Sequence, residues 1–121
     1  MNITELKEKM EKGISLWSEK MPEYNSKRGY EVAKSALAEA IRTYGKFNWP
    51  KGGVSYHFVK LKTPTPKDTP GIFDANVVEI RLDYWGCIWG YLENGSGSGS
   101  EHPSPNTLRL FMDKIEEAIS E

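Results

Sequence analysis

Two histidines, one cysteine and a few charged residues are the side chains in this sequence that could support acid–base or nucleophilic chemistry. Neither His57 nor His102 has a neighbour at the spacing of a metal site or a catalytic pair, and we expect His57 to be a packed or surface histidine. His102 borders a Gly-Ser run, where positional control is poor. Cys87 is far in sequence from any lysine or histidine, so we expect an inert thiol.

Two carboxylates could form an acid and base pair. Glu79 and Asp83 are four residues apart with Arg81 between them, so in a strand all three would lie on one face. An alternating ladder of charges is also typical of a solvated strand face, and we favour that interpretation. The sequence contains no phosphate-binding, dinucleotide-binding or zinc-protease motif. We therefore predict a protein that is not an enzyme and needs no cofactor or metal.

The densest aromatic cluster is DYWGCIWGYLE, residues 83–93, which holds two Trp and two Tyr within eight positions. The strand before it alternates, with Val78, Ile80, Leu82 and Tyr84 predicted to face the core. If this alternation continues past Gly86, a second set of side chains shares the opposite, charged face: Trp85, Cys87, Trp89 and Tyr91.

Two interpretations of this aromatic face stay open. Either a helix covers it, or Gly86 marks a bulge or turn that reverses the phase, and in both cases the rings are core. Alternatively, the face is a recognition surface, because Trp and Tyr dominate binding hot spots. Our leading hypothesis is the second: Trp85, Trp89 and Tyr91 bind another protein, with Trp49 at the rim.

A second candidate surface is residues 46–67, which hold five lysines and no acidic residue. Lysines alternate there with aromatic residues, as in sites for nucleotides or single-stranded nucleic acid, and Tyr56, Lys60 and Lys62 are the candidate ligands of a small anion. Lysines on an edge strand also protect against aggregation. Arginine, the better phosphate ligand, is absent from this segment, which makes nucleic acid a less favoured partner.

Charge is unevenly distributed along the chain, although the formal net charge is only -1. Residues 68–121 hold ten acidic and three basic residues, in contrast to the basic segment before them. A basic and an acidic region on one chain could meet in a dimer, so self-association is an alternative to a separate partner.

Helical periodicity predicts two N-terminal helices. The first is marked by a stripe of apolar residues and by Asn2 and Glu5, which form a capping-box pattern; the stripe consists of Ile3, Leu6, Met10, Ile14, Trp17 and Met21. The second begins near Ser26, is rich in alanine on its packing face, and ends at Gly45.

The middle of the chain predicts a short antiparallel sheet, with strands around residues 54–62 and 77–84 and a long exposed loop at 63–76. Residues 94–104 contain a regular Gly-Ser repeat, which we interpret as a flexible and engineered linker. A final helix at 105–120 has Ser104 as its N-cap and Pro105 at its first position.

These elements predict one α+β domain spanning residues 1–121, in which two N-terminal helices and a C-terminal helix pack on one face of a short antiparallel sheet. At 121 residues the chain can form a single core. No apolar run is long enough for a membrane span, and there is no secretory signal pattern or second cysteine. We therefore expect a cytoplasmic protein.

Overall fold

The computed structural model describes residues 1–18, 23–68, 75–99 and 104–120. The elements in chain order are α1 (Ile3–Ser18), α2 (Glu23–Tyr44), β1 (Lys46–Asn48), β2 (Tyr56–Lys60), β3 (Val77–Asp83), β4 (Ile88–Leu92), β5 (Gly97–Gly99) and α3 (Pro105–Ile119). The strands form one antiparallel sheet in the order β1-β2-β3-β4-β5. This layout confirms the predicted α+β class. No helix within the described ranges combines the length and apolar character needed to span a bilayer.

Helix α1 begins at the predicted capping box. The backbone N–H of Glu5 donates to Asn2 Oδ1 at 2.9 Å, and the N–H of Asn2 donates to Glu5 Oε1 at 3.3 Å. Leu6, Met10 and Ile14 are fully buried, as the periodicity predicts. The predicted continuation of the stripe through Trp17 and Met21 lies outside the described side chains.

Helices α1 and α2 pack closely because small residues line their contact. A Cβ at Gly13 would lie 2.6 Å from the backbone nitrogen of Ala33 and 2.7 Å from the carbonyl oxygen of Gly29, so only glycine fits there. Ala33, Ala36 and Ala40 on α2 are completely buried. Ala33, on the alanine-rich face predicted from the sequence, therefore lies at the helix–helix contact.

The three helices and one face of the sheet share a single hydrophobic core. Val59, Ile80 and Gly90 stand side by side across β2, β3 and β4, and all three are buried. A register shift between Val77 and Glu79 changes the start of β3. The prediction that Val78 faces the core was wrong for this reason: Val77 is fully buried instead, and Val78 is half-buried.

The loop before β3 is anchored at Thr65, which is only 2% exposed. Its backbone N–H donates to the carbonyl of Val77 at 3.0 Å, and its hydroxyl oxygen accepts the N–H of Val77 at 2.8 Å. The expectation of a wholly exposed loop was therefore wrong at Thr65. Residues 69–74 of that loop lie outside the described part.

Strand β5 forms within the segment for which the Gly-Ser composition predicts a flexible linker. Gly95 adopts a positive φ of 86° in the preceding turn, and the N–H of Leu92 donates to the carbonyl of Ser96 at 3.0 Å. Gly97 then pairs with Tyr91 and Gly99 with Trp89. The hydrogen-bonding edge of β4 thus orders residues whose own strand propensity is low.

Helix α3 begins as predicted, with Ser104 accepting the N–H of Thr107 at 3.2 Å and proline at the first position. Ion pairs and hydrogen bonds join α3 to its neighbours. Arg109 donates to both carboxylate oxygens of Glu11 on α1, at 2.9 and 3.0 Å. At the other end, Lys62 donates to the carbonyl of Ser120.

Helices cover one side of the sheet, and no described element covers its other side. We call this second side the open face.

Candidate recognition surface

The hairpin between β3 and β4 places two of the predicted aromatic residues on the open face. Trp89 lies opposite Arg81, and Tyr91 lies opposite Glu79, while Ile88, the residue before Trp89, is 2% exposed and faces the helices. The side chains of β4 alternate in the same phase as those of β3, because paired residues in an antiparallel ladder point to the same side. The rings at 89 and 91 are half-buried.

The strand itself does not continue through residue 86, because residues 84–87 form a turn. Gly86 adopts a φ of 84°, and its N–H donates to the carbonyl of Asp83 at 3.1 Å. The prediction that Tyr84 faces the core was therefore wrong: its side chain is 74% exposed and lies edge-on to Trp85. Trp85 is 71% exposed at the tip of the turn.

One carboxylate holds this turn together. Asp83 Oδ1 accepts the backbone N–H groups of Trp85 and Cys87, at 2.9 and 2.8 Å. Asp83 Oδ2 accepts the indole N–H of Trp89 at 2.9 Å. Asp83 is thus a positioning residue, which fixes both the backbone of the turn and the orientation of the neighbouring indole.

Arg81 is enclosed between two tyrosines on the open face. Its guanidinium carbon lies 3.8 Å from the ring centre of Tyr91 and 4.4 Å from that of Tyr56, and it forms an ion pair with Glu79. Partial burial lowers the pKa of Arg81, but the hydrogen bond and charge of Glu79 outweigh this effect and raise the pKa above its usual value. A permanent cation therefore contacts both rings and attracts each of them.

These residues surround a groove with a volume of about 340 Å³, whose walls are Val54, Ser55, Tyr56, Arg81, Asp83, Trp85, Trp89 and Tyr91. Val54 and Trp85 are exposed hydrophobic residues at the rim, with 47% and 71% of their surface accessible. The half-buried rings form its floor. The groove therefore combines accessible apolar surface with fixed polar groups.

The fold brings together four of the seven predicted binding residues, namely Tyr56, Trp85, Trp89 and Tyr91. Trp49 is 77% exposed but lies edge-on to Phe47, which contacts His57, and it is not part of the groove. Lys60 is exposed and is the last residue of β2, at the end of the strand away from Tyr56.

Lys62 has a structural partner instead, since its ammonium group binds the C-terminal end of α3. Favourable contact between a lysine and the last carbonyls of a helix explains this position.

Sequence reasoning assigned Arg81 and Asp83 to a solvated face and so missed their roles. An aspartate directly before an aromatic and glycine-containing turn is a signal for a side chain that caps the turn. The placement of Arg81 between Tyr56 and Tyr91 depends on the register of three strands, which no local pattern specifies.

The residues considered for catalysis are not gathered in one place. Glu79 binds Arg81, Asp83 binds the turn, and His57 packs against Phe47 with ring centres 4.9 Å apart. Cys87 is half-buried. Within the described ranges no group of three or more His, Cys, Asp or Glu residues could hold a metal ion. His102 lies outside those ranges.

Comparison with protein-family models, with curated proteins and with solved structures finds no match to this chain. Any functional conclusion therefore depends on the geometry of the open face and of the cavities around it.

Proposed function

We propose that this protein is a non-enzymatic binding module that engages another protein through the open face of its sheet. The observation that carries this proposal is the groove of about 340 Å³, where exposed Trp85 and Val54 flank the half-buried rings of Trp89 and Tyr91. Clustered aromatic residues with an arginine are the composition of binding hot spots. We keep the cytoplasm as the proposed location, because a chain with one cysteine has no internal disulfide.

The groove is also held in place before any partner arrives. Trp89 is oriented by its hydrogen bond to Asp83, and Tyr56 and Tyr91 are separated by Arg81. Side chains that are already ordered lose less conformational entropy on binding. The rings therefore offer contact area at a low entropic cost.

Local charge favours a protein over a phosphate-containing ligand at this site. Arg81 is accompanied by Glu79 and Asp83, so the formal charge of these three residues is negative. A second carboxylate next to the guanidinium would repel a phosphate. A nucleotide or single-stranded nucleic acid is thus the weaker alternative for the groove, and its binding would weaken steeply with added salt.

Selection from a phage-displayed library of random peptides tests the proposal. We expect the selected peptides to bind the wild-type protein and to lose about thirtyfold or more in affinity on Trp85→Ala, the loss typical of a hot spot. The backbone N–H of residue 85 still reaches Asp83 in this variant, and the side chain is 71% exposed, so the thermal midpoint should stay unchanged.

Trp49→Ala is the matched control, because Trp49 is exposed to a similar degree but lies outside the groove. Its affinity for the selected peptides should equal that of the wild type. The proposal fails if no peptide is enriched, if the peptides bind Trp85→Ala as tightly as the wild type, or if both variants lose affinity alike.

A further inference from the structure

A second cavity lies at the opposite end of β2 and shares no lining residue with the groove. Its volume is about 320 Å³, and it is a half-open cleft bordered by the C-terminal ends of α2 and α3 and by β2. Its walls are Tyr44, Gly45, Lys46, Phe58, Val59, Lys60, Ala118 and Ile119.

This cavity exists because β1 is short. The pairing of β1 with β2 stops at Lys46 opposite Phe58, and the chain before Lys46 belongs to α2. Val59 and Lys60 consequently have no partner on the β1 side among the described strands. Gly45 lets the end of α2 approach β2 closely, since a Cβ there would lie 2.5 Å from the carbonyl oxygen of Phe58. A void remains where β1 would otherwise continue.

The inner walls of the cavity are apolar. Val59 is 5% exposed, and Ala118 packs against the hydrophobic core with most of its small side chain covered. Ile119 completes this end, while Phe58, opposite Arg81 in the register, borders the cavity from the open-face side; both are half-buried. A ligand chain could therefore exclude water from both protein and ligand surface here.

The mouth of the cavity carries positive charge. Lys46 and Lys60 are exposed, and within the described chain neither forms an ion pair. Glu79, which stands opposite Lys60 in the register, binds Arg81 instead. No acidic residue is among the walls.

The helix ends nearby do not cancel this charge. Each C-terminal end contributes about half a negative charge, which is less than the full charge of one ammonium group. Some carbonyl groups at the helix ends also accept hydrogen bonds. The N–H of Gly45 donates to the carbonyl of Ile41 at 2.9 Å, and the N–H of Ser120 donates to the carbonyl of Glu116 at 3.2 Å. The charge suits a single anionic group.

We propose that this cavity binds a small apolar carboxylate of the medium-chain fatty acid type. The hydrocarbon chain lies against α3 at the unpaired edge of β2, and the carboxylate is held by Lys46 and Lys60, whose register positions are on the open-face side of that edge. A cavity of about 150 Å³ accommodates benzene, so a volume of about 320 Å³ has room for a chain of octanoate length. This site is independent of the proposed protein-binding groove.

Calorimetric titration with octanoate tests the proposal, with octan-1-ol as the uncharged comparator of equal chain length. Octanoate should bind at least about tenfold more tightly than octanol. Lys60→Gln and Lys46→Gln should each weaken octanoate binding by about three- to tenfold and leave octanol binding unchanged. Lys51→Gln is the matched control: Lys51 is also an exposed lysine of this segment, but it lies outside the cavity, and its affinity should stay at the wild-type value.

Two further variants locate the ligand. Ala118→Leu places additional carbon atoms in the apolar end and should abolish binding of both compounds, whereas Trp85→Ala should leave binding intact. The lysine substitutions are at exposed positions, so they remain decisive if Ala118→Leu fails to fold. The proposal is overturned if octanoate does not bind, if octanol binds equally well, if Lys60→Gln binds like the wild type, or if Trp85→Ala removes binding.

Discussion

The two faces of the sheet are built from the same strands but are held in place by different forces. On the covered face, Ile80 and Leu82 are buried in the core that this face shares with the helices, and contact with other apolar side chains fixes their positions. On the open face, Arg81 and Asp83 hold half-buried rings through an ion pair, ring contacts and hydrogen bonds. The covered face contributes stability, and the open face contributes a surface with ordered side chains.

This difference explains how aromatic residues can remain accessible without being loosely held. A half-buried ring is only partly held by packing, so a polar partner also orients it. Asp83 does this for Trp89, and the guanidinium of Arg81 does the equivalent for Tyr91. Substitutions on the two faces should consequently differ in both the size and the kind of their effects.

The largest effect is expected on the covered face. Ile80→Ala removes a completely buried side chain and should lower the free energy of unfolding by about 2–5 kcal/mol. Urea denaturation measures this, with Trp85→Ala as the open-face control that changes it by less than about 0.5 kcal/mol. Equal losses in the two variants would show that the faces do not differ in the way described.

Gly13→Ala tests the close contact between the helices behind the covered face. Helix propensity alone predicts a gain of about 1 kcal/mol. We expect a loss of about 1–3 kcal/mol instead, because the new Cβ would meet the backbone of Ala33 at 2.6 Å. Lys12→Ala, at an exposed position of the same helix, is the control in thermal denaturation. A stabilised Gly13→Ala protein would rule out this close packing.

Asp83→Asn tests the polar network of the open face. Whichever way the amide is oriented, its NH2 group faces an N–H donor, either in the turn backbone or on the indole of Trp89. We expect a loss of about 1–3 kcal/mol and stronger acrylamide quenching of tryptophan fluorescence. Asp68→Asn, at an exposed position, should change neither. Unchanged quenching in Asp83→Asn would contradict the positioning role.

The smallest effect is expected at the surface contact between α1 and α3. The hydrogen bonds from Arg109 lower the pKa of Glu11 below its usual 4.5. Because the pKa of Glu11 is lower in the folded than in the unfolded protein, its contact with Arg109 stabilises the fold above pH 4.5. This stabilisation is lost as the pH falls through the pKa of Glu11 in the folded protein. Glu11→Gln should therefore cost less than about 1 kcal/mol at neutral pH.

Urea titrations of Glu11→Gln and the wild type at neutral and acidic pH measure this difference. The stabilities of the two proteins should converge once Glu11 is protonated. A difference that persists unchanged at acidic pH would assign the effect to something other than the charge of this carboxylate.

Local patterns were sufficient for the helix N-termini and for Ile80 and Leu82 on the covered face, but not for Val78 and Tyr84 at the two ends of β3. The capping box at Asn2 and the N-cap at Ser104 depend on side chains within a few residues, and the structure confirms both. Alternation also predicted correctly that Trp89 and Tyr91 share a face with Glu79. Such features are encoded by sequence spacing, so a single sequence reveals them.

Features that depend on strand register were not predictable in this way. Arg81 meets Tyr56 only because β2 and β4 flank β3, and β5 forms only because β4 offers an unpaired edge. The bulge that exchanges Val77 for Val78 is likewise a property of the paired strands. Strand register is also the reason that four of the seven predicted binding residues lie in the groove and three lie elsewhere.

Gly97 gives the outermost strand an influence on the groove, although glycine itself has no side chain. A Cβ at this position would lie 3.1 Å from Cε1 of Tyr91 and 3.2 Å from its Cζ. Even a methyl group would tilt the phenol ring by a small amount, and the ring would transmit that tilt to the guanidinium stacked on it. The width of the groove is thus adjustable from outside, by residue size at a position that no visiting molecule needs to touch.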